Sequence, residues 1–573
     1  MRKRGEFNKL FSPFKIKDYL LRNRIIFAPM STQMANADGS ISDQMLDYYS
    51  DKAICGPAMV ITETFHVDNE ASRFTYVQPS IYHDRFIPGL SNLADGIRKG
   101  GSIAIAQIGH AGRQTNYEVN NHQPVAPSRI PDGPTKDCHE LTKIEIDDLI
   151  RSFADAASRA AIAGFDGIEI HGGNGYLINE FLSPYTNRRN DEYGKNKELF
   201  LTRIINAISS RLDDNLILGV RIGFSDFVDG GLEPSEAIRL CSLLPQDKID
   251  YFHTSAGTDE SDDYRIQPIY HKRALLRNIA RDLKREIQTP VILTGSINSP
   301  FLAEELLANE ETDLIGMGRP LLADPTIPKK VAKLDAGEFC PCIRCNQGCL
   351  SRVRLGKTIK CSVNPQLGHE RSKTSLVSMR PNKRNKTVLI AGAGPAGITA
   401  ALRAKELGFA VKLFEKKEKV GGLLNTAKYE PLKQEMSDYL GYLTTLVSSS
   451  GVEIIRSTKV DFSLLREENP DILVNATGSV PIVPSIPKSL PYKVVEVRSI
   501  LANLEDYFRK QKVVIIGGGS VGCELGYTLS SKCEDVTIVE QESDILLDIE
   551  SGSALALRRL LEKAGIAIRL NAR

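Results

Sequence analysis

The 573-residue sequence contains no tryptophan, only ten cysteines and no apolar run long enough to cross a membrane. Neither sign of charge dominates, because 73 Lys and Arg residues face 71 Asp and Glu residues. The resulting net charge of +2 gives no long-range attraction to nucleic acid or to an anionic membrane surface. The basic residues at the start lead into further charged residues, so a secretory signal is not expected there. We therefore expect a cytoplasmic, multidomain globular protein that acts on small molecules.

The cysteines are too few for a disulfide scaffold, and five of them fall between Cys340 and Cys361. Four of these, Cys342, Cys345, Cys349 and Cys361, have the spacing C-x₂-C-x₃-C-x₁₁-C. Four thiolates can hold either a tetrahedral zinc ion or an iron–sulfur cluster. Paired C-x₂-C knuckles would favour zinc and are absent here, so the spacing favours a cluster, with zinc and free thiols as alternatives. Cys340 is expected to be a bystander.

Eight short apolar runs alternate with helix-like segments over the first 340 residues, and this alternation predicts an α/β protein that begins with a (β/α)₈ barrel. The runs are residues 24–30, 58–63, 102–107, 167–171, 216–221, 251–255, 291–295 and 314–319. A polar residue or a glycine lies at or near the end of each run, and these residues are Ser31, Glu63, Gln107, His171, Arg221, His253, Gly295 and Arg319. Active sites of such barrels lie at the carboxyl ends of the strands, so we expect these residues near the site.

The segment after the fourth run concentrates groups that can act on a substrate. His171, Asn174 and Tyr176 are separated by glycines, which let the backbone fold so that the three side chains converge. A phenol with an ordinary pKa near 10 stays protonated at neutral pH and can serve as a general acid. The alternative is a core histidine beside a packing tyrosine. For His253, contact with a ligand and a purely structural role are equally open.

Two strand–turn–helix units with G-x-G-x-x-G fingerprints follow a linker at residues 368–386. In each fingerprint the glycines allow a tight turn, close approach of a pyrophosphate and close helix packing, and an acidic residue about 20 positions later can bind a ribose. The first unit has Gly392, Gly394, Gly397 and Glu415, and the second has Gly517, Gly519, Gly522 and Glu540. The carboxylate of Glu540 would repel a 2′-phosphate, so the second unit is expected to prefer NADH to NADPH.

Several motifs resemble the NADH:flavin oxidoreductase, or old yellow enzyme, family. The resemblance is to its multidomain iron–sulfur members, among them 2,4-dienoyl-CoA reductase, 2-enoate reductase, bile-acid enoate oxidoreductase and trimethylamine dehydrogenase. The motifs that carry it are residues 28–31, 107–113, 171–176, 220–223, 317–320 and 342–349. The resemblance implies FMN on the barrel, a 4Fe–4S cluster on the four cysteines, and Rossmann-like domains for FAD and NAD(P).

The same resemblance implies a role for individual residues. The FMN contacts are expected to come from Pro29, Met30, Ser31, Thr64, Gln107, Arg221, Gly295, Gly318 and Arg319. FAD is assigned to the first glycine fingerprint and NADH to the second. The implied domains are a catalytic barrel at 1–339, a cluster segment and linker at 340–386, an FAD domain at 387–505, and an incomplete NAD(P) domain at 506–573.

The implied reaction is NADH-dependent reduction of the C=C bond of an α,β-unsaturated carbonyl compound, either a 2-enoate, an enoyl-CoA or dienoyl-CoA, or a steroid enone. Electrons would pass from NADH through FAD, the cluster and FMN. His171 and Asn174 would bind the substrate carbonyl, while Tyr176 would protonate the α-carbon.

Two alternatives stay open. One is an amine dehydrogenase of the trimethylamine dehydrogenase type, although that enzyme uses a flavin-linked cysteine and tryptophans, and this sequence has Met30-Ser31-Thr32 and no tryptophan. The other follows from the resemblance to proteins that continue further at the C-terminus: a truncated product that binds FMN and the cluster with an impaired reductase half. A homo-oligomer is compatible with either outcome.

Overall fold

The computed structural model describes residues 7–115, 117–333, 339–370, 386–482, 493–501 and 511–572. The chain divides into two compact units, Met1–Arg371 and Ser372–Arg573. Within the ranges described, no helix is both long enough and apolar enough to span a bilayer.

The first unit is a closed barrel of eight parallel strands, which confirms the predicted (β/α)₈ fold. The strands are β1 (Ile25–Phe27), β2 (Met59–Ile61), β3 (Ile103–Gly109), β4 (Gly167–Gly172), β5 (Ile217–Gly223), β6 (Tyr251–Ser255), β7 (Val291–Thr294) and β8 (Leu314–Met317). Each strand pairs with the next in parallel register, and β8 pairs with β1 to close the barrel. Strands β3, β4 and β5 run one or two residues past the predicted ends, so Gln107, His171 and Arg221 lie within strands rather than at their last residue.

Helices cover the outside of the barrel. They are α1 (Asp43–Ile54), α2 (Ile87–Lys99), α3 (Lys143–Ile162), α4 (Leu199–Ser209), α5 (Pro234–Leu243), α6 (Arg277–Glu286), α7 (Pro300–Ala308), α8 (Arg319–Ala323) and α9 (Ile327–Ala332). Helix α3 shows why these segments are helical: Thr142 and Glu145 form a reciprocal capping box at its start, and its buried face repeats apolar residues at helical spacing. A cluster of buried side chains, including Ile26, Met59 and Tyr251, fills the amino-terminal end of the barrel. The opposite end is therefore left for a site.

The cysteine segment is part of the first unit and packs on the barrel. Arg344 donates hydrogen bonds to the carbonyls of Ile269 and His271, and Asn346 donates to Ile266. A short π-helix, Gln347–Ser351, carries one of the cysteines. Residues 371–385, most of the predicted linker, lie outside the described part of the chain.

The second unit contains two parallel sheets of the Rossmann type, as predicted. The first sheet comprises β9 (Thr387–Ala391), β10 (Ala410–Phe414), β11 (Glu453–Ile455) and β12 (Ile472–Asn475), in the order β11-β10-β9-β12. Its helices are α10 (Pro395–Glu406), α11 (Gln434–Ser449) and α12 (Phe462–Glu468). The second has β13 (Lys512–Ile516), β14 (Asp535–Val539) and β15 (Ala567–Arg569), with helices α13 (Ser520–Ser530) and α14 (Ser551–Lys563). Each glycine fingerprint lies between a strand and the helix that follows it.

Candidate active site

A cavity of about 480 Å³ opens at the carboxyl ends of the barrel strands. The structure brings together around it all twelve residues that the sequence assigned to catalysis and to FMN: Pro29, Met30, Ser31, Thr64, Gln107, His171, Asn174, Tyr176, Arg221, Gly295, Gly318 and Arg319. The two loops of the barrel mouth, 109–141 and 258–270, also contribute residues to the wall of this cavity. These twelve residues therefore share one cavity at the carboxyl ends of the strands.

His171 and Arg221 are aligned in register on neighbouring strands β4 and β5. His171 is buried, and burial together with the charge of Arg221 lowers its pKa well below the ordinary value, so the imidazole is neutral at physiological pH. Its Nδ1 has no hydrogen-bond partner among the described residues, and neither has the Nε of Arg221. Buried polar atoms are normally paired, so these two groups at the cavity wall fit the oxygen atoms of bound molecules.

The ring of Tyr176 packs against the imidazole of His171. It lies 5.2 Å from the imidazole and 4.2 Å from the ring of Phe74, measured between centroids. Burial raises the pKa of Tyr176, so the phenol is protonated over the whole neutral range. Asn174 and Gly175, the two residues before Tyr176, both have a positive φ, +60° and +76°. This turn redirects the chain, and the helix Leu177–Leu182 begins directly after Tyr176. One N–H of the Asn174 amide donates to the Ala256 carbonyl at 3.2 Å.

A hydrogen-bonded chain supports the cavity floor from inside the barrel. Thr64 donates to the Oε1 of Gln107, whose Nε2 donates to Glu169 at 2.7 Å. The other carboxylate oxygen of Glu169 is 2.8 Å from Nδ1 of His253, and Nε2 of His253 is 2.6 Å from the hydroxyl of Thr294. These bonds fix the Gln107 amide with a defined orientation at the cavity wall.

His253 and Glu63 therefore differ from the other residues near the ends of the predicted runs. His253 is fully buried, bonds to Glu169 and Thr294, and is not part of the cavity wall, so its role is structural. Glu63 turns away from the cavity and accepts hydrogen bonds from the backbone and hydroxyl of Thr32. Burial raises its pKa to about 7. Both residues lie near strand ends, but His253 faces the barrel axis below the cavity, whereas Glu63 faces helix α1.

The end of the cavity beside β7 and β8 has the form of a phosphate cradle. Arg319 is held there by hydrogen bonds from its guanidinium to Asn346, at 2.6 Å, and to the Gln267 carbonyl, at 2.8 Å. Gly295 has φ +128°, and a Cβ on Gly318 would lie 2.9 Å from the sulfur of Met30. A fixed guanidinium beside glycine backbone is the arrangement that a phosphate at a barrel mouth requires.

The four cysteines of the C-x₂-C-x₃-C-x₁₁-C pattern line one small cavity of about 20 Å³. Two of them, Cys342 and Cys349, also form part of the wall of the large cavity. Among the described residues, no three cysteine, histidine or acidic side chains are arranged to hold a single metal ion. Four cysteine thiolates are the ligand set of a four-iron cluster, which distributes them over its four metal atoms, so the donor set fits the cluster. Cys340 does not line this cavity, and its thiol donates to the Val363 carbonyl instead.

The two glycine fingerprints have the same backbone geometry. Gly392 and Gly517 have φ +107° and +106°, and a Cβ on Gly397 or Gly522 would collide with the carbonyl of that first glycine. Among the described residues, a Cβ on Gly394, the middle glycine of the first fingerprint, would have only one neighbour, and that neighbour is distant. The backbone at Gly394 is therefore open to a pyrophosphate.

The acidic residues serve the same turns. Glu415 accepts a hydrogen bond from the amide of Ala393 at 2.9 Å, and Glu540 accepts one from Gly518 at 2.6 Å. The second fingerprint differs in one respect, because the carboxylate of Asp548 accepts hydrogen bonds from the amide and hydroxyl of Ser520, at 2.9 and 2.7 Å.

Sequence reasoning missed Gln114 and Arg265, which stand on the two mouth loops and line the cavity. Arg265 makes ion pairs with Asp259 at 2.6 Å and Asp262 at 2.8 Å. Its only sequence signal is a cluster of charges in residues 259–265, a pattern shared with many solvated loops.

Comparisons with known proteins agree with this geometry. Residues 9–336 match the NADH:flavin oxidoreductase / NADH oxidase family, and residues 386–573 match the pyridine nucleotide-disulphide oxidoreductase family. The chain is 36% identical to the NADH oxidase of Thermoanaerobacter brockii, over 98% of this chain and 87% of that protein. It is 30% identical to the cinnamate reductase of Clostridium sporogenes, over 95% and 84%. The structure of a 2-naphthoyl-CoA reductase complex, 27% identical, superposes with a TM-score of 0.91 over 99% of this chain and 88% of that one.

The chain therefore belongs to the NADH:flavin oxidoreductase / NADH oxidase family, in its multidomain form with a C-terminal pyridine nucleotide unit. It is an oxidoreductase. Its cofactors are FMN, FAD, a 4Fe–4S cluster and a nicotinamide nucleotide.

Proposed function

We propose that the protein is an NADH-dependent ene reductase that reduces the C=C bond of an α,β-unsaturated carbonyl compound, a 2-enoate, an enoyl or dienoyl thioester or a steroid enone. The observation that carries this proposal is the convergence of a neutral imidazole, a protonated phenol and an uncompensated guanidinium nitrogen on one cavity. The names of two similar proteins, a cinnamate reductase and a 2-naphthoyl-CoA reductase, support the same class of reaction.

FMN is assigned to the barrel cavity. Arg319, Gly295 and Gly318 would hold its phosphate, and the buried Arg221 would supply a positive charge to its surroundings. Pro29, Met30, Ser31, Thr64 and Gln107 would complete its surroundings. When bound, FMN supplies a hydride for the β-carbon of the substrate.

The protein's own side chains would complete the reaction. An N–H of the neutral His171 imidazole and the second N–H of the Asn174 amide donate hydrogen bonds to the substrate carbonyl oxygen, which becomes negative as the hydride arrives. The hydroxyl of Tyr176 gives its proton to the α-carbon, which forms the second C–H bond. The tight aromatic packing of Tyr176 against Phe74 keeps the phenol in place and excludes water.

The remaining cofactors are assigned to the two glycine fingerprints and to the four cysteines. Gly392, Gly394, Gly397 and Glu415 would hold FAD, and Gly517, Gly519, Gly522 and Glu540 would hold NADH. The four cysteines would hold the cluster. The proposed functional domains of the chain are a barrel at 1–339, a cluster segment and linker at 340–386, an FAD domain at 387–505 and an NAD domain at 506–573.

An anaerobic assay with two electron donors tests the proposal. The purified protein is mixed with an enoate, an enoyl thioester or an enone, first with NADH and then with dithionite, and saturated product is measured. Product with both donors supports the full proposal. Product with dithionite alone locates the activity in the barrel and means an impaired reductase half. Bleaching of flavin by amines, with no product from any alkene, overturns the proposal in favour of amine oxidation.

A further inference from the structure

The turn that precedes Tyr176 is held by hydrogen bonds from other loops of the cavity mouth. The Nε2 of Gln114 donates to the carbonyl of Asn174 at 2.7 Å, inside the left-handed turn that precedes Tyr176. The Oε1 of Gln114 accepts a hydrogen bond from Arg265 at 3.0 Å. Gln114 thus joins the backbone of the catalytic turn to a guanidinium that lies 151 residues away in sequence.

Arg265 cannot move freely. Its Nε and one terminal nitrogen contact Asp262, at 3.0 and 2.8 Å, and its other terminal nitrogen contacts both Gln114 and Asp259. Only 13% of its side chain is exposed, and it forms part of the cavity wall together with Tyr176. A buried cation is therefore fixed on the same wall as the group that donates the proton.

The fixed charge matters because proton donation leaves charge behind. When the O–H bond of Tyr176 breaks and the α C–H bond forms, the negative charge of the enolate moves to the phenolate oxygen. Burial disfavours that phenolate and raises the pKa of Tyr176, whereas the charge of Arg265 opposes the increase. Other charged groups that act on the phenol are Asp259, Asp262, Arg354 and Arg221.

We infer that Arg265, held in place by Gln114 and by its two contacts to Asp262, is a positioning residue that stabilises the phenolate of Tyr176 as it protonates the substrate. This inference rests on the proposed function, because it assigns Tyr176 as the general acid. Asp259 has the opposite influence, since its negative charge disfavours the phenolate. The two side chains therefore give variants with opposite expected effects.

The test follows the reoxidation of prereduced holoenzyme by cyclohexenone in a stopped-flow instrument at neutral pH. Arg265→Gln is expected to slow this reaction about tenfold or more, and to increase its solvent deuterium isotope effect, because proton transfer becomes more difficult. Arg265→Lys, which keeps the charge, is expected to recover most of the rate. Asp259→Asn is expected to react at least as fast as the wild type, with a smaller isotope effect. Reoxidation by para-benzoquinone, which forms no C–H bond, is expected to stay unchanged in all variants.

The outcomes separate the inference from the proposed function. If the wild type reduces benzoquinone but not cyclohexenone or the other alkenes, the proposed function fails. If the wild type reduces cyclohexenone and Arg265→Gln does so equally fast, or Arg265→Lys is as slow as Arg265→Gln, the inference alone fails. Should Arg265→Gln lose its flavin, Asp259→Asn decides the matter, because a slower reaction in that variant contradicts the inference.

Discussion

The ring of Tyr176 stands edge-on to the imidazole of His171, with centroids 5.2 Å apart and planes inclined at 74°. The hydrogen-bonding and proton-donating groups thus come from one strand end and from the helix start that follows it. Because the two rings contact each other, a substrate carbonyl bound to His171 in the proposed reaction would lie beside the ring of Tyr176. The pairing explains how a segment of six residues can serve both halves of the proposed chemistry.

Replacing Tyr176 by Phe removes the proton donor and keeps the ring that packs on Phe74. We expect alkene reduction to fall by about 10²–10⁴-fold, the usual contribution of a general acid, while flavin reduction by NADH stays at the wild-type rate. Stopped-flow measurement of the two half-reactions checks this. An undiminished alkene rate in Tyr176→Phe would remove Tyr176 from the mechanism.

Glu180, in the helix after Tyr176, gives a prediction for stability. Burial raises its pKa to about 8, so the folded chain keeps a proton that the unfolded chain releases near pH 4.5. Stability from this site is therefore present at low pH and decreases as the pH rises from about 4.5 to 8. Glu180→Gln mimics the protonated form, and its advantage over the wild type should grow to on the order of 4 kcal/mol at pH 8.

Urea unfolding of both proteins at several pH values measures that difference. Glu192→Gln is the matched control, because Glu192 is exposed and its pKa is lowered by the hydrogen bond from Lys143. The difference between the control and the wild type should stay constant between pH 5 and 8. A constant difference for Glu180→Gln as well would mean that its carboxyl is ionised in the folded protein.

Asp548 occupies the amide of Ser520 at the start of helix α13, where the pyrophosphate of a dinucleotide is expected to bind. Asp548→Asn removes a negative charge from that position, so we expect NADH to bind about tenfold more tightly, equivalent to about 1.4 kcal/mol. Fluorescence titration of the holoenzyme with NADH measures the affinity. Asp544→Asn serves as control, since Asp544 lies on the same loop and pairs with Arg558 instead. Weaker binding in Asp548→Asn would show that the carboxylate assists the nucleotide.

The cysteine assignment has its own matched pair. Cys345→Ser is expected to lose the cluster, because Cys345 lines the cavity shared by the four proposed ligands. Cys340→Ser is expected to keep it, because the Cys340 thiol donates to the Val363 carbonyl and does not line that cavity. Iron and acid-labile sulfide per chain, measured anaerobically, distinguish the two. Equal losses in both variants would make Cys340 a ligand.

The barrel and the cavity were predictable because they depend on local patterns. Each strand is a short apolar run, and a parallel barrel brings the ends of all its strands to one face, so Arg221 and His171 could be placed together without knowing any contact. His253 shows where this reasoning fails: position along a strand does not tell whether a side chain meets the cavity or the layer beneath it. Gln114 and Arg265 were out of reach because their hydrogen bond joins two irregular loops, and loop conformation leaves no periodic signal in a sequence.

The hydrogen-bonded chain from Thr64 through Gln107, Glu169 and His253 to Thr294 joins four of the eight strands, β3, β4, β6 and β7, to the segment that follows β2, beneath the cavity. No described residue of the mouth loops, 109–141 and 258–270, belongs to that chain. Exchanging these loops for those of a relative, with Gln114 and Arg265 kept, should therefore change substrate choice and leave the floor of the cavity intact. The barrel thus has two separable parts, a hydrogen-bonded floor and a rim of loops.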